Sequence, residues 1–99
     1  MKQETQASIT QWSEDTFGPV NDLASLARRA HTEMDELIEA LEAGDHAEAK
    51  KEAADVLILL SRLAHMLGFE LSDAVNEKMQ INRARKWQRA DDGTGSHID

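Results

Sequence analysis

Two short carboxylate pairs carry the chemistry that this sequence can offer. Glu33 and Glu36 stand as E-x-x-E, and Glu52 and Asp55 stand as E-x-x-D. On a helix that spacing puts both members of a pair on one side, with about 4.5 Å of axial separation. Gly44 lies midway: Glu36 and Glu52 are each eight residues from it, Glu33 and Asp55 each eleven. A chain that doubles back at Gly44 therefore brings the four acids to matching levels of two antiparallel helices. Like charges so gathered either raise one another's pKa or recruit a cation. Ligation by oxygen alone favours Mg²⁺, with Mn²⁺ as a substitute, and Mg²⁺ commonly completes its shell with water and substrate phosphates. The plainer alternative is a solvated face, because a chain with 19 acidic residues produces such pairs readily. Asp35, Glu39, Glu42 and Glu48 are assigned to that solvated face.

A second set of residues complements the first. In VNEKMQINRARKW, residues 75–87, Lys78, Asn82 and Arg85 follow at i, i+4 and i+7, so that one helix face carries two cations and an amide suited to a polyphosphate. The competing account is a surface stripe paired with the acids of a neighbouring helix. Arg83, Lys86 and Arg89 point elsewhere.

Elements must hold these groups in place. Ninety-nine residues make one domain, and a domain of this size buries only about two-thirds of the surface its unfolded chain exposes. A deep private pocket is not expected, and a partner subunit would help. The formal charge of −8 argues against nucleic acid as a partner. The N-terminal MKQETQASITQW lacks the apolar run of a signal peptide, and no stretch approaches the roughly 20 apolar residues of a membrane span. With no cysteine in the chain, the expected compartment is the reducing cytoplasm.

The punctuation predicts an all-α, four-helix-bundle-like subunit with a central antiparallel helix hairpin. A short first helix is expected over 8–15, ended by TFGP at 16–19, because Pro19 disfavours helical geometry before it. The main helices are expected over 21–43, 46–67 and 72–89, with Asn21, Asp45 and Ser72 as N-caps and a polar tail over 90–99. Leu23, Ala27, Ala30, Met34, Leu37, Ile38 and Leu41 form one apolar stripe. Ala49, Ala53, Val56, Leu57, Leu60, Leu63, Ala64 and Leu67 form the matching one. Ile58 and Leu59 lie off it, so the third helix is apolar most of the way round, as expected of a homodimer or homotetramer.

The ordered set E33-x-x-E36, E52-x-x-D55 and K78-x-x-x-N82-x-x-R85 resembles the MazG-like all-α nucleoside triphosphate pyrophosphohydrolases. The likeness is closest to the phage-type dATP/dGTP pyrophosphohydrolase branch. It covers roughly Trp12 to the end, through TFGP at 16–19, EMDEL at 33–37, EAADVLILL at 52–60, KMQINRARKW at 78–87, and Asp92, Gly93 and His97. The resemblance implies an Mg²⁺-dependent enzyme that converts a nucleoside triphosphate into monophosphate and pyrophosphate. It also implies subunits that share active sites across an interface. By the match, Glu33, Glu36, Glu52 and Asp55 would hold metal ions and Lys78, Asn82 and Arg85 would contact phosphates. Glu36 is taken as the carboxylate that activates water. Two other readings stay open: a non-catalytic helical interaction module, and a metal-dependent hydrolase of another phosphorylated metabolite.

Trp12 and Trp87, two of only four aromatic residues, either stack on a nucleobase or fill a core or an interface. His31 either reaches the substrate or is a surface residue, whereas His46 and His65 are read as structural. The DDGTGSHID tail either closes over bound nucleotide or frays.

Overall fold

The computed structural model describes residues 2–98. Four helices run in chain order, α1 (Gln6–Phe17), α2 (Ala24–Glu42), α3 (His46–Leu67) and α4 (Leu71–Ala84), followed by two short strands, β1 (Trp87–Arg89) and β2 (Gly95–His97). The fold is all-α but for this terminal hairpin.

Local chemistry sets the ends. Thr5 and Ser8 form a reciprocal capping box at the start of α1, which begins two residues before the expected position and extends two beyond it. Asn21 does not cap α2. The helix starts at Ala24, where the Asp22 carboxylate accepts from the backbone N–H at 3.1 Å. Asp45 caps α3 by accepting from the Glu48 N–H at 3.1 Å. Between α2 and α3 the chain reverses at Gly44, whose φ of 70° is a left-handed conformation that favours glycine. Ser72 does not cap α4 either. That role falls to Gln6, 65 residues away, whose side-chain oxygen accepts from Leu71 N–H at 3.0 Å while its amide donates to the Phe69 carbonyl at 2.6 Å.

The fourth helix ends five residues before the expected position. Trp87 Nε1 donates to the Asn82 carbonyl at 2.7 Å, taking the acceptor that a continuing helix would offer to residue 86. The chain then turns into an antiparallel pair in which Trp87 faces His97, Gln88 faces Ser96 and Arg89 faces Gly95. A Cβ at position 95 would collide with the Gln88 carbonyl, so glycine fixes that register. The tail is thus paired through Ile98, whose N–H donates to the Lys86 carbonyl, and is not a frayed end.

The α2–α3 hairpin is the centre of the fold, and α1 packs on α3. On α2 the buried seam is turned by about one position from the expected stripe, whereas on α3 Ala49, Val56 and Ala64 keep their expected places and Glu52 and Arg62 join them. On α2 it runs through Leu26, Ala30, Glu33 and Ala40, and on α3 through Ala49, Glu52, Val56 and Ala64. Met34, Ile38, Leu41, Leu57 and Leu67, assigned to the stripes by periodicity, are exposed. Among the described residues, and apart from the Gln6 bonds, α4 packs on no helix but α3 and buries none of its residues, so the chain is a three-helix core with an attached arm and not a closed four-helix bundle. The radius of gyration, 16.0 Å, exceeds the roughly 13 Å of a compact chain of this length.

Candidate active site

The seam explains why acids stand where a core should be. Glu33 and Glu52 occupy seam positions of α2 and α3, each only 8% exposed, and Glu36 lies one turn along at the open edge. One carboxylate oxygen from each of the three comes within 4.8 Å of the others. Asp55 is the member that does not join. Val56 takes the next seam position, which leaves Asp55 on the exposed side of α3. There it borders, together with Glu33, a neighbouring cavity of about 670 Å³.

Arg29, one helical turn before Glu33, pairs with its carboxylate at 3.2 Å. Glu33 is held below the usual carboxylate range by hydrogen bonding to Glu52 and Glu36, against the cost of its burial. Glu36 is raised, chiefly by Glu33. Glu52 is pushed up to about 8 by hydrogen bonding to Glu33, then by burial and by Glu48 and Glu36. At neutral pH Glu52 therefore keeps its proton and can donate to Glu33. Ionised, it leaves Oε2 buried with no donor to accept from. A cation is the partner this oxygen lacks.

The cavity lies between the loop after α1 and the α2–α3 pair. Trp12 and Phe17, edge to face at 5.6 Å, form one wall, and Leu26, Ile58 and Leu59 form another. Asn21 and Arg62 supply polar groups. Trp12 thus stands where a flat ligand could stack. Trp87 does not: it sits in β1 with its ring edge against His97 at 6.0 Å and outside this cavity.

Lys78, Asn82 and Arg85 do not border the cavity. Lys78 is exposed, and Asn82 is half-buried with an unpartnered, buried Oδ1. Arg85 follows the last helical turn with extended backbone, φ −89° and ψ 160°, so the expected single helical face is broken at its third member. His31 is exposed on α2. Arg29, Arg62 and Gln6 were not singled out from the sequence. Arg29 at i−4 from Glu33 was recoverable from spacing, and Arg62 stands out as the only charged side chain within residues 56–64. Nothing local marks Gln6, whose partners lie across the fold.

Residues 5–98 match the family described as dATP/dGTP pyrophosphohydrolase. A dATP/dGTP diphosphohydrolase of Cyanophage S-2L is 40% identical over 95 residues, 96% of this chain and 86% of that protein. A dATP/dGTP diphosphohydrolase of Salmonella phage PMBT28 is 37% identical over 97 residues, 96% of this chain but only 31% of that longer protein. The solved structure of the Cyanophage S-2L MazG-like pyrophosphohydrolase, bound to dGDP and three catalytic Mn²⁺ ions per active site, superposes with a TM-score of 0.77 at 36% identity, covering 95% of this chain and 93% of that one. Carrying a buried acid cluster beside a half-apolar cavity on this helical frame, the chain belongs to the dATP/dGTP pyrophosphohydrolase family and is a pyrophosphohydrolase.

Proposed function

We propose that the protein hydrolyses deoxynucleoside triphosphates, dATP and dGTP among them, to the monophosphate and pyrophosphate in the cytoplasm. Mg²⁺ is the proposed ion, with Mn²⁺ as a substitute. The observation that carries this reading is the three-carboxylate group with its orphaned Glu52 oxygen, set beside a cavity large enough for a nucleoside. Glu33, Glu36 and Glu52 would hold the metal, with Asp55 reaching the same place from the cavity rim. Bound there, divalent ions supply Lewis-acid activation of a water and neutralise phosphate charge.

The chain's own residues do the rest. Arg29 pairs with Glu33 and adds to the hydrogen bonding with Glu52 and Glu36 that favours its ionised form. Glu36, the exposed member at the open edge of the cluster, has its pKa raised by Glu33 and is the proposed base for taking the proton of the attacking water. Cleavage of the α–β anhydride bond places new charge on the leaving pyrophosphate, and phosphoryl transfer depends mainly on positioning and on neutralising such charge. Lys78, Asn82 and Arg85 would provide that contact. Because they do not border the cavity of their own subunit, we infer that they reach the site of a neighbouring copy in a homo-oligomer. The exposed Met34, Ile38 and Leu41 of α2 and Val75 and Met79 of α4 supply apolar surface for such an assembly. Trp12 is the proposed stacking partner of the base, and Trp87 is withdrawn from that role in its own subunit.

Incubation of the purified protein with each dNTP and Mg²⁺ or Mn²⁺, with chromatographic detection of monophosphate and pyrophosphate, tests the reading. Turnover of purine deoxynucleotides that is abolished by Glu52→Gln is expected. A folded sample that cleaves no nucleotide with either metal overturns it.

A further inference from the structure

We propose that Arg62 is a specificity-determining residue, one that reads the six-position of a purine in the cavity beside the acid cluster and favours guanine over adenine. The inference rests on the hydrolase reading above and adds to it the side chain that distinguishes the bases.

Arg62 is placed where a cation is hard to justify on stability grounds. It stands in α3 between apolar residues, is 6% exposed, and lines the cavity. Among the described residues no carboxylate pairs with it. Its Nη2 donates to the Gly18 carbonyl at 2.9 Å, and its Nε–H is shut off from solvent without an acceptor. A buried cation with no counter-charge and an unmade hydrogen bond is destabilising, and an apolar side chain of similar volume would be the more stable choice. One carbonyl does not satisfy a guanidinium, which offers five donors in a fixed fork.

A purine entering the cavity changes that balance. Trp12 and Phe17, perpendicular to each other, line the cavity with aromatic surface, and Leu26, Ile58 and Leu59 line it with aliphatic surface. Guanine presents two acceptors side by side, O6 and N7, which match the arginine fork, whereas adenine presents an amino donor at the six-position that opposes it. Asn21 on the same rim carries an amide able to pair with the adenine edge, which leaves adenine admitted but less favoured. Arg62 thus gives the site acceptors to prefer, and the ligand offers acceptors to the Nη donors that the single Gly18 carbonyl leaves over.

The test is competition. Wild type, Arg62→Met and Arg62→Lys are each given equal dGTP and dATP in one reaction, and the ratio of the two kcat/KM values is read from relative product formation. That ratio is independent of how much of a variant folds, since both substrates meet the same active molecules. A second measurement, calorimetric binding of dGMP and dAMP, needs no turnover. The expected result is a fall in the dGTP:dATP ratio on the order of tenfold or more in Arg62→Met, with partial recovery in Arg62→Lys, and a matching loss of dGMP preference in binding. Equal losses for both bases, or an unmoved ratio, would make Arg62 a strut for the Gly18 loop and overturn the inference. If wild type cleaves neither triphosphate yet its dGMP preference vanishes in Arg62→Met, the hydrolase reading fails and the role of Arg62 stands.

Discussion

Binding of a divalent ion among Glu33, Glu36 and Glu52 should expel close to one proton at neutral pH. The Glu52 carboxyl titrates near 8, because Glu33 beside it is ionised and because it is buried. A group titrating there is about nine-tenths protonated at pH 7, about half at pH 8 and about one-tenth at pH 9. A metal accepts only the ionised form, so its binding releases about 0.9 proton at pH 7 and about 0.1 at pH 9, and affinity rises about tenfold per pH unit until it levels off above 8. Calorimetric titration of the nucleotide-free protein with Mn²⁺, in two buffers of different ionisation heat, gives the proton count from the difference in apparent enthalpy. Glu52→Gln, which keeps the shape and a donor towards Glu33, should abolish both the release and the pH slope. Binding at pH 7 with no proton released, and an affinity flat between pH 6 and 8, would show that the three acids do not share a proton and would remove the main electrostatic argument for the site.

Three further outcomes are expected. The same raised pKa makes the metal-free protein less stable as pH climbs from the ordinary glutamate value of 4.5 towards 8, since ionising Glu52 costs more folded than unfolded. Glu33, shifted the other way, adds its own loss only below its ordinary value. Thermal melts should therefore fall over pH 5–8 in wild type and fall less in Glu52→Gln, where the raised Glu36 still titrates beside Glu33, and identical profiles would refute this. If α4 serves a neighbouring copy, mixing Glu52→Gln subunits with Lys78→Ala/Arg85→Ala subunits should restore about a quarter of wild-type activity in a dimer, since half the dimers are mixed and each has one intact site. A mixture no more active than its parents, or a monomer by light scattering, argues for a site built within one chain. Gln6→Leu loses both bonds to the α3–α4 turn and should lower stability by about 1–2 kcal/mol in urea titrations. It should also raise the KM for nucleotide through a displaced α4, and an unchanged urea midpoint would show that the latch contributes nothing.

The sequence made the hairpin legible because its signals were local: a glycine reversal, an aspartate cap and apolar recurrence on both sides. The rotation of the α2 seam was not legible, since alanines at 27, 30 and 40 fit either of two adjacent faces, and the choice between them falls to tertiary packing. That turn drew Glu33 inwards, and on α3 the burial of Glu52 and Val56 leaves Asp55 at the rim. The ending of α4 escaped because it depends on one side chain, Trp87, reaching back to a carbonyl five residues earlier. Its basic residues kept helical character to the end, so periodicity gave no warning.

The acid cluster and the incompleteness of a single subunit have a common cause. Ala30, Ala40 and Ala49 are small side chains in the α2–α3 seam, and small seam residues favour the approach that lets Glu33 and Glu36 of α2 come within 4.8 Å of Glu52 of α3. Larger side chains would spread the axes towards the upper end of the usual 8–10 Å range and separate the oxygens. Small side chains also make a thin core, with Leu26 and Val56 the only buried apolar residues larger than alanine among the described residues. Glutamates at 33 and 52 thin it further, since a buried leucine at either place would contribute about 1.5–3 kcal/mol. A chain that commits its closest helix contact to gathering charge has to find its apolar burial elsewhere, and what remains is the outward stripes of α2, α3 and α4. The proposed assembly with other copies would thus follow from how the site is made, and the same assembly would carry Lys78, Asn82 and Arg85 to a cavity they do not reach alone.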